Sequence, residues 1–186
     1  MSVPLWCSAG PFTVFDIETT GMSPVYDRMV ELSAVRIETD GSRKSFDTLL
    51  NPMRRIPDRV SAVHHITDDM VFDAPVFAEI GEEFLNFASG SILVAHNARF
   101  DLSFLQEELH RSGLPLWQGK TLDSLKLVRQ THPGLPSYSL QKLRAYFDLT
   151  TIEGMQAHRA GADVYWTCQL LEIVFDKLYR QSQNRS

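Results

Sequence analysis

The hydrophobic period of this chain changes once, and that change limits the folds open to it. Pro11–Glu18 (PFTVFDIE), Met29–Glu38 (MVELSAVRIE) and Ser45–Leu50 (SFDTLL) alternate with period two and are rich in β-branched and aromatic residues. Asp40-Gly41, between the second and third segments, is a hairpin signal. Together they predict a three-stranded antiparallel meander. From Thr67 onward the spacing lengthens to about 3.6 residues. Thr67-Asp68-Asp69 reads as an N-cap with an acidic first turn, and Pro75 opens a helix to Ala88 with Val76, Phe77, Ile80, Phe84, Leu85 and Phe87 on its apolar face. Ser91–Ala95 (SILVA) is short, apolar and bounded by Gly90, the pattern of a central buried strand. Ala98–Arg111 is a helix with Gly113 just past its end. A weaker strand at Lys120–Asp123, a helix through Val128 and a loop broken by Pro133, Gly134 and Pro136 follow. A short helix, Ser139–Tyr146, and a long closing one, Ala160–Leu178, complete the order. Residues 1–10 carry no pattern, and Gln181–Ser186 reads as a frayed tail. A meander followed by strands alternating with helices predicts an α/β fold, a mixed sheet flanked by helices.

At 186 residues the expectation is one domain over 1–186, with its core at about 11–178. Eighteen Lys plus Arg against 23 Asp plus Glu give a net charge of −5, which argues against a protein that coats polyanions. It leaves open a nucleic-acid enzyme whose site is built from carboxylates and filled by metal. The two cysteines, Cys7 and Cys168, exclude a disulfide framework and a cysteine zinc knuckle. Cys168 reads as core packing within the last helix. With no signal-peptide pattern and no apolar run of membrane-spanning length, a soluble, cytoplasmic chain is expected.

Three acidic clusters stand out against this background. Asp16 and Glu18 lie at i and i+2 in the first strand, so both leave the same face while Phe15 and Ile17 leave the other. Two like charges on a central strand need a cationic partner, and Mg²⁺ or Mn²⁺ suits all-oxygen ligation. The bland alternative is an exposed edge strand with two solvated acids. Thr19-Thr20-Gly21 shifts the balance, because small residues let another molecule's backbone approach. Asp101, in His96-Asn97-Ala98-Arg99-Phe100-Asp101, falls at the carboxyl end of a strand, where ligands bind in open α/β sheets. His158-Arg159-Ala160-Gly161-Ala162-Asp163 puts an acid one turn into the closing helix, with a slim first turn able to approach another element.

In this combination and order the chain resembles the DnaQ-like 3′–5′ exonucleases of the DEDDh type, the proofreading epsilon-subunit group. The motifs are Phe15-Asp16-Ile17-Glu18-Thr19-Thr20-Gly21, His96 through Asp101, and His158 with Asp163. Val63-His64-His65-Ile66-Thr67-Asp68 and Thr121-Leu122-Asp123-Ser124-Leu125 agree more weakly. The resemblance spans about Pro11 to Leu178 and implies a ribonuclease-H-like fold with a mixed five-stranded sheet. It implies that Asp16, Glu18 and Asp163 ligate one divalent ion, that Asp16 binds a second, and that Asp101 reaches the second through water. His158, in place of the Tyr of a sister group, would deprotonate the attacking water. The Glu18 side chain and Thr19 backbone would hold the terminal 3′-hydroxyl, Met22 the terminal base and His64 the nucleotide. Asn97 would orient backbone or nucleotide. Met22 as core filler and His64 as a satisfied histidine are the alternatives. Arg54, Arg55, Arg59, Arg99 and Arg159 would gather along the strand path or remain solvated surface.

The expected substrate is a single-stranded or frayed 3′ end of DNA, cut to nucleoside 5′-monophosphates in proofreading, repair or turnover. Two departures matter. His65 stands where the family often has Gly, and the chain ends soon after its last helix, without a long polymerase-binding tail. A polymerase partner and free-standing work therefore both stay open, as does nucleoid association in a bacterium. An RNA 3′–5′ exonuclease, resembling oligoribonucleases or tRNA-trimming members, and a non-catalytic nucleic-acid-binding module are the rival readings.

Overall fold

The computed structural model describes residues 5–151 and 158–183. After a 3₁₀ turn at Leu5–Ala9 come β1 (Phe12–Thr19), β2 (Met29–Ile37), β3 (Arg43–Leu49), α1 (Asp58–His64), α2 (Asp68–Val71), α3 (Phe77–Ala88) and β4 (Ile92–Ala95). Then follow α4 (Ala98–Arg111), β5 (Thr121–Asp123), α5 (Ser124–Thr131), α6 (Leu140–Tyr146) and α7 (Ala160–Gln183). The sheet order is β3-β2-β1-β4-β5, with β1–β2 and β2–β3 antiparallel and β1–β4 and β4–β5 parallel. The mixed five-stranded sheet is thus the one expected.

β1 is central and feeds two cores. Phe15 and Ile17 join Leu32, Phe84, Phe104 and Leu105 in the layer toward α3 and α4. Phe12 and Val14 join Val94, Val164, Cys168 and Leu171 beneath α7. Each large apolar side chain removed from water contributes about 1.5–3 kcal/mol, against a net of about 1 kcal/mol for a ladder hydrogen bond. Packing on both faces therefore fixes where β1 sits. A further apolar layer, Val128, Leu143, Trp166 and Leu170, joins α5 and α6 to α7. No described helix is long and apolar enough to cross a membrane.

Four details differ from expectation. The patternless lead packs: Trp6 stacks on Phe175 at 5.6 Å, and Cys7 is buried in the core beneath α7. α7 continues to Gln183, past the expected end and into the expected fray. Thr67 has N-cap geometry but no side-chain cap bond, and Asp68 Oδ1 instead accepts from Ile56 N at 2.8 Å. α1 had no sequence signal, because Asp58–His64 is two turns long with only two large apolar residues, too few to display a period. It ends on His65 at φ 61°. That left-handed position favours glycine, the residue that the resemblance leads one to expect there.

Candidate active site

The face of β1 toward α7 runs Phe12, Val14, Asp16, Glu18, so the strand passes from core to carboxylates along one surface. Opposite the two acids in β2 stand Ser33 and Glu31. A register shift between Glu18 and Thr19 marks a bulge, which locally re-aims side chains. Asp163 enters from the first turn of α7, and carboxylate oxygens of Asp16, Glu18 and Asp163 lie within 4.8 Å of one another. Asp101, in the first turn of α4 and only 3% exposed, stands outside that trio. After burial, its charge is the largest influence raising the pKa of Asp16 well above the usual carboxylate range. Burial and then the charges of Asp163 and Glu31 lift Glu18 to about 9. Burial lifts Asp101 to about 8, and burial with the Glu31 charge lifts Asp163 to about 7. Among the described residues the side-chain donor to Asp163 is Gln141 Nε2, at 3.3 Å from Oδ1. An oxygen-only set of mutually repelling carboxylates, Asp163 buried and Asp16 and Glu18 half-buried, fits a hard divalent cation.

Beside this group a cleft of about 660 Å³ is lined by Glu18, Thr19, Met22, Arg59, Val63, His64, Asn97, Phe100 and His158 among others. Every residue expected to hold substrate therefore faces one cavity with the expected base, and Glu18 belongs both to the cavity and to the carboxylate trio. Met22 is 80% exposed, which rules out core filling. His64 is 1% exposed, and its Nδ1 accepts from Ile66 N at 3.0 Å, so the neutral ring carries its hydrogen on Nε2. That Nε2 is buried with no hydrogen-bond partner of normal geometry, and the group that acts on it is the Thr19 backbone. Burial lowers its pKa, with the Thr19 backbone pulling the other way.

The Thr20–Arg28 loop is tightly built. The Asp27 carboxylate accepts from Thr20 Oγ1 and Ser23 N, and Arg28 N donates to Thr20 Oγ1. A Cβ on Gly21 would lie 2.4 Å from Asp27 Oδ2. Gly21 thus makes room for the chain's own aspartate, and it also lines the cleft. Arg111 holds the loop from outside by donating to the Pro24, Val25 and Asp27 carbonyls.

The arginines do not form one track. Arg59 lines the cleft. Arg54 donates to the Tyr26 carbonyl, Arg55 pairs with Asp58, and Arg159 turns inward to Glu31. His96 is structural: Nε2 bonds the Tyr138 carbonyl and Nδ1 the Ser124 hydroxyl, both at 2.9 Å. Asn97 caps α4 in a left-handed conformation at φ 71°, its N–H donating to Asp123 Oδ1. Asp123 also caps α5, which accounts for its place in the weaker motif.

Sequence reasoning missed Glu31, Arg159 as its partner, Gln141 and Phe100. Only Glu31 left a signal, an acid between Val30 and Leu32 in a strand that is otherwise buried there.

Comparison with known proteins gives a consistent picture. The RNase T family model, described as exonuclease, matches residues 13–171. The epsilon subunit of DNA polymerase III from Treponema pallidum is 42% identical over 154 residues, covering 82% of this chain and 70% of that protein. A PolC-type DNA polymerase III from Caldanaerobacter subterraneus is 37% identical over 169 residues, 91% of this chain but 12% of the polymerase. Among solved structures, exonuclease X in complex with 5′-overhanging duplex DNA has a TM-score of 0.69 at 32% identity, covering 89% of this chain and 91% of that one. Escherichia coli exonuclease I in complex with a dT13 oligonucleotide reaches a TM-score of 0.79 at 21% identity, over 93% of this chain and 42% of that one. The fold is the ribonuclease-H-like arrangement of these exonucleases.

Proposed function

The chain belongs to the exonuclease family, in its DnaQ-like 3′–5′ branch, and on that footing we propose that it hydrolyses DNA from the 3′ end, releasing nucleoside 5′-monophosphates. The observation that carries this reading is the junction at Glu18, where a carboxylate trio opens into a cleft that also holds His158. Asp16, Glu18 and Asp163 would hold one Mg²⁺ or Mn²⁺, and Asp16, with Asp101 through water, a second. When bound, the ions compensate the carboxylate charge and that building on the attacking and leaving oxygens of the phosphodiester.

The chain's own groups do the rest. The largely apolar cleft takes the terminal nucleoside, with Met22 against the base and His64 in the wall beside the nucleotide. The Glu18 side chain and Thr19 backbone hold the 3′-hydroxyl, and Asn97 borders the nucleotide. His158, exposed at the cleft, receives the proton of the attacking water, the general-base task most often given to histidine. None of these contacts reads base identity, so cleavage is expected to be independent of sequence.

The polymerase names of the relatives support proofreading beside a DNA polymerase, and the likeness to exonuclease X in complex with a 5′-overhanging duplex supports DNA ends as the substrate. The chain spans 12% of the length of one matched polymerase and 70% of the epsilon subunit.

The direct test is a time course on a 5′-labelled single-stranded DNA oligonucleotide with Mg²⁺, Mn²⁺ or EDTA, with an RNA of the same sequence in parallel. A ladder descending by single nucleotides, absent in EDTA and slowed about 10²–10⁴-fold by His158→Ala, is expected. Faster cleavage of RNA would overturn the DNA assignment, and a ladder indifferent to His158→Ala would remove the base.

A further inference from the structure

We propose that Glu31 and Arg159 form a positioning pair for His158, an inference that rests on His158 being the base. The Glu31 carboxylate is buried beside Glu18, yet it does not join the metal-ligating trio, because donors from one short stretch of chain occupy both of its oxygens. Arg159 Nε lies 3.1 Å from Oε1 and 3.1 Å from Oε2, Arg159 Nη2 lies 2.6 Å from Oε1, and Ala160 N donates to Oε2 at 2.9 Å. The Arg159 carbonyl in turn accepts from Ala162 N at 2.9 Å and Asp163 N at 3.3 Å. One side chain of β2 thus docks the N-terminus of α7, gripping both the Arg159 fork and the following amide.

His158 is the residue immediately before this grip. Its side chain makes no hydrogen bond among the described residues, so none of them orients the imidazole as a carboxylate does in a Ser-His-Asp triad. Its backbone is left-handed at φ 59°, a conformation that a non-glycine residue keeps only when its surroundings impose it. The Glu31–Arg159–Ala160 bonds are the restraint next to it in the chain. The bidentate form matters, since an arginine fork fixes direction where a lysine supplies only charge. In this arrangement the pair touches no reacting atom. It acts through the place it gives His158.

The test is a double-mutant cycle on single-stranded DNA. Glu31→Gln, Arg159→Ala and Arg159→Lys are each made in the wild-type chain and in His158→Ala, and kcat and KM are measured with saturating Mg²⁺. In the wild-type background Glu31→Gln and Arg159→Ala are expected to lower kcat about 10–100-fold with KM within about twofold, and Arg159→Lys to fall between. In the His158→Ala background the same changes are expected to cost less than about twofold, because the group they position is gone. Full losses in both backgrounds would overturn the proposal, as would loss of the Mn²⁺-induced rise in Tm, since either assigns the pair to the metal site or the fold. If Glu31→Gln fails to fold by circular dichroism, Arg159→Lys, which keeps the charge and most of the volume, carries the cycle alone. A His158→Ala chain as fast as wild type would sink the base and the pair together, and that result is read from the single mutant.

Discussion

Glu18 shows how much this site costs the protein that carries it. It is a carboxylate on a central strand, raised to about 9 by burial first and then by Asp163 and Glu31. Groups held this far from their ordinary ionisation cluster where chemistry is done. Removing the charge while keeping the shape separates the two roles. Glu18→Gln is expected to lower exonuclease activity at least about 10²-fold, the scale of losing a positioned charge in a reacting site. In EDTA at pH 8 the same variant is expected to melt higher by roughly 2–4 °C, the shift that about 1 kcal/mol brings in a domain of this size. Activity on labelled oligonucleotide and a thermal melt check both halves. A lower Tm would mean that Glu18 makes a stabilising contact in the metal-free protein and that its burial is not a cost to the fold.

At the scale of elements, α1 governs the far wall of the cleft, since it presents Arg59, Val63 and His64 to it. Its end is fixed by His65, whose N–H donates to the Ser61 carbonyl from a left-handed backbone. His65→Val puts a β-branched residue where φ is positive and is expected to cost about 1–2 kcal/mol. His65→Gly is expected to leave stability within about 0.5 kcal/mol, because relief of strain offsets the freedom gained in the unfolded chain. Chemical denaturation of the three proteins checks this, and equal midpoints for the histidine and valine forms would refute it. The same helix marks the limit of reading elements from sequence. β1, β2, β4 and α4 were legible because period and boundary residues agreed over enough positions, whereas two turns of α1 offered too few. The acids were legible because i and i+2 on a strand share a face whatever surrounds them. Glu31 was not, because its meaning lies in Arg159, which is 128 residues away in the chain.

At the scale of the molecule, the site sits at the end of β1 where the sheet changes character, antiparallel toward β2 and parallel toward β4. Such a switch leaves a crevice beyond the strand ends where ligands bind in open α/β sheets. Four acids collected there couple metal, proton and fold. In the unfolded chain they titrate near 4, whereas in the metal-free fold Asp163 rises to about 7, Asp101 to about 8 and Glu18 to about 9. Because these pKa values are raised, the folded state keeps protons that the unfolded state has released. The stabilising contribution is full below about pH 4 and is lost as pH climbs through 7 to 9. Metal-free protein is therefore expected to lose stability across that window. A divalent cation binds the deprotonated set, so its benefit should run the opposite way. The Mg²⁺-induced rise in Tm is expected to be small at pH 6 and to grow steadily to pH 9, at ionic strength matched with KCl. It should vanish at every pH in Asp16→Ala, since a ligand that binds only the native site stabilises by mass action through that site. An increment of equal size at pH 6 and pH 9 would show that the carboxylates are already ionised in the metal-free fold. Burial and mutual repulsion would then not be what holds this site ready for a cation.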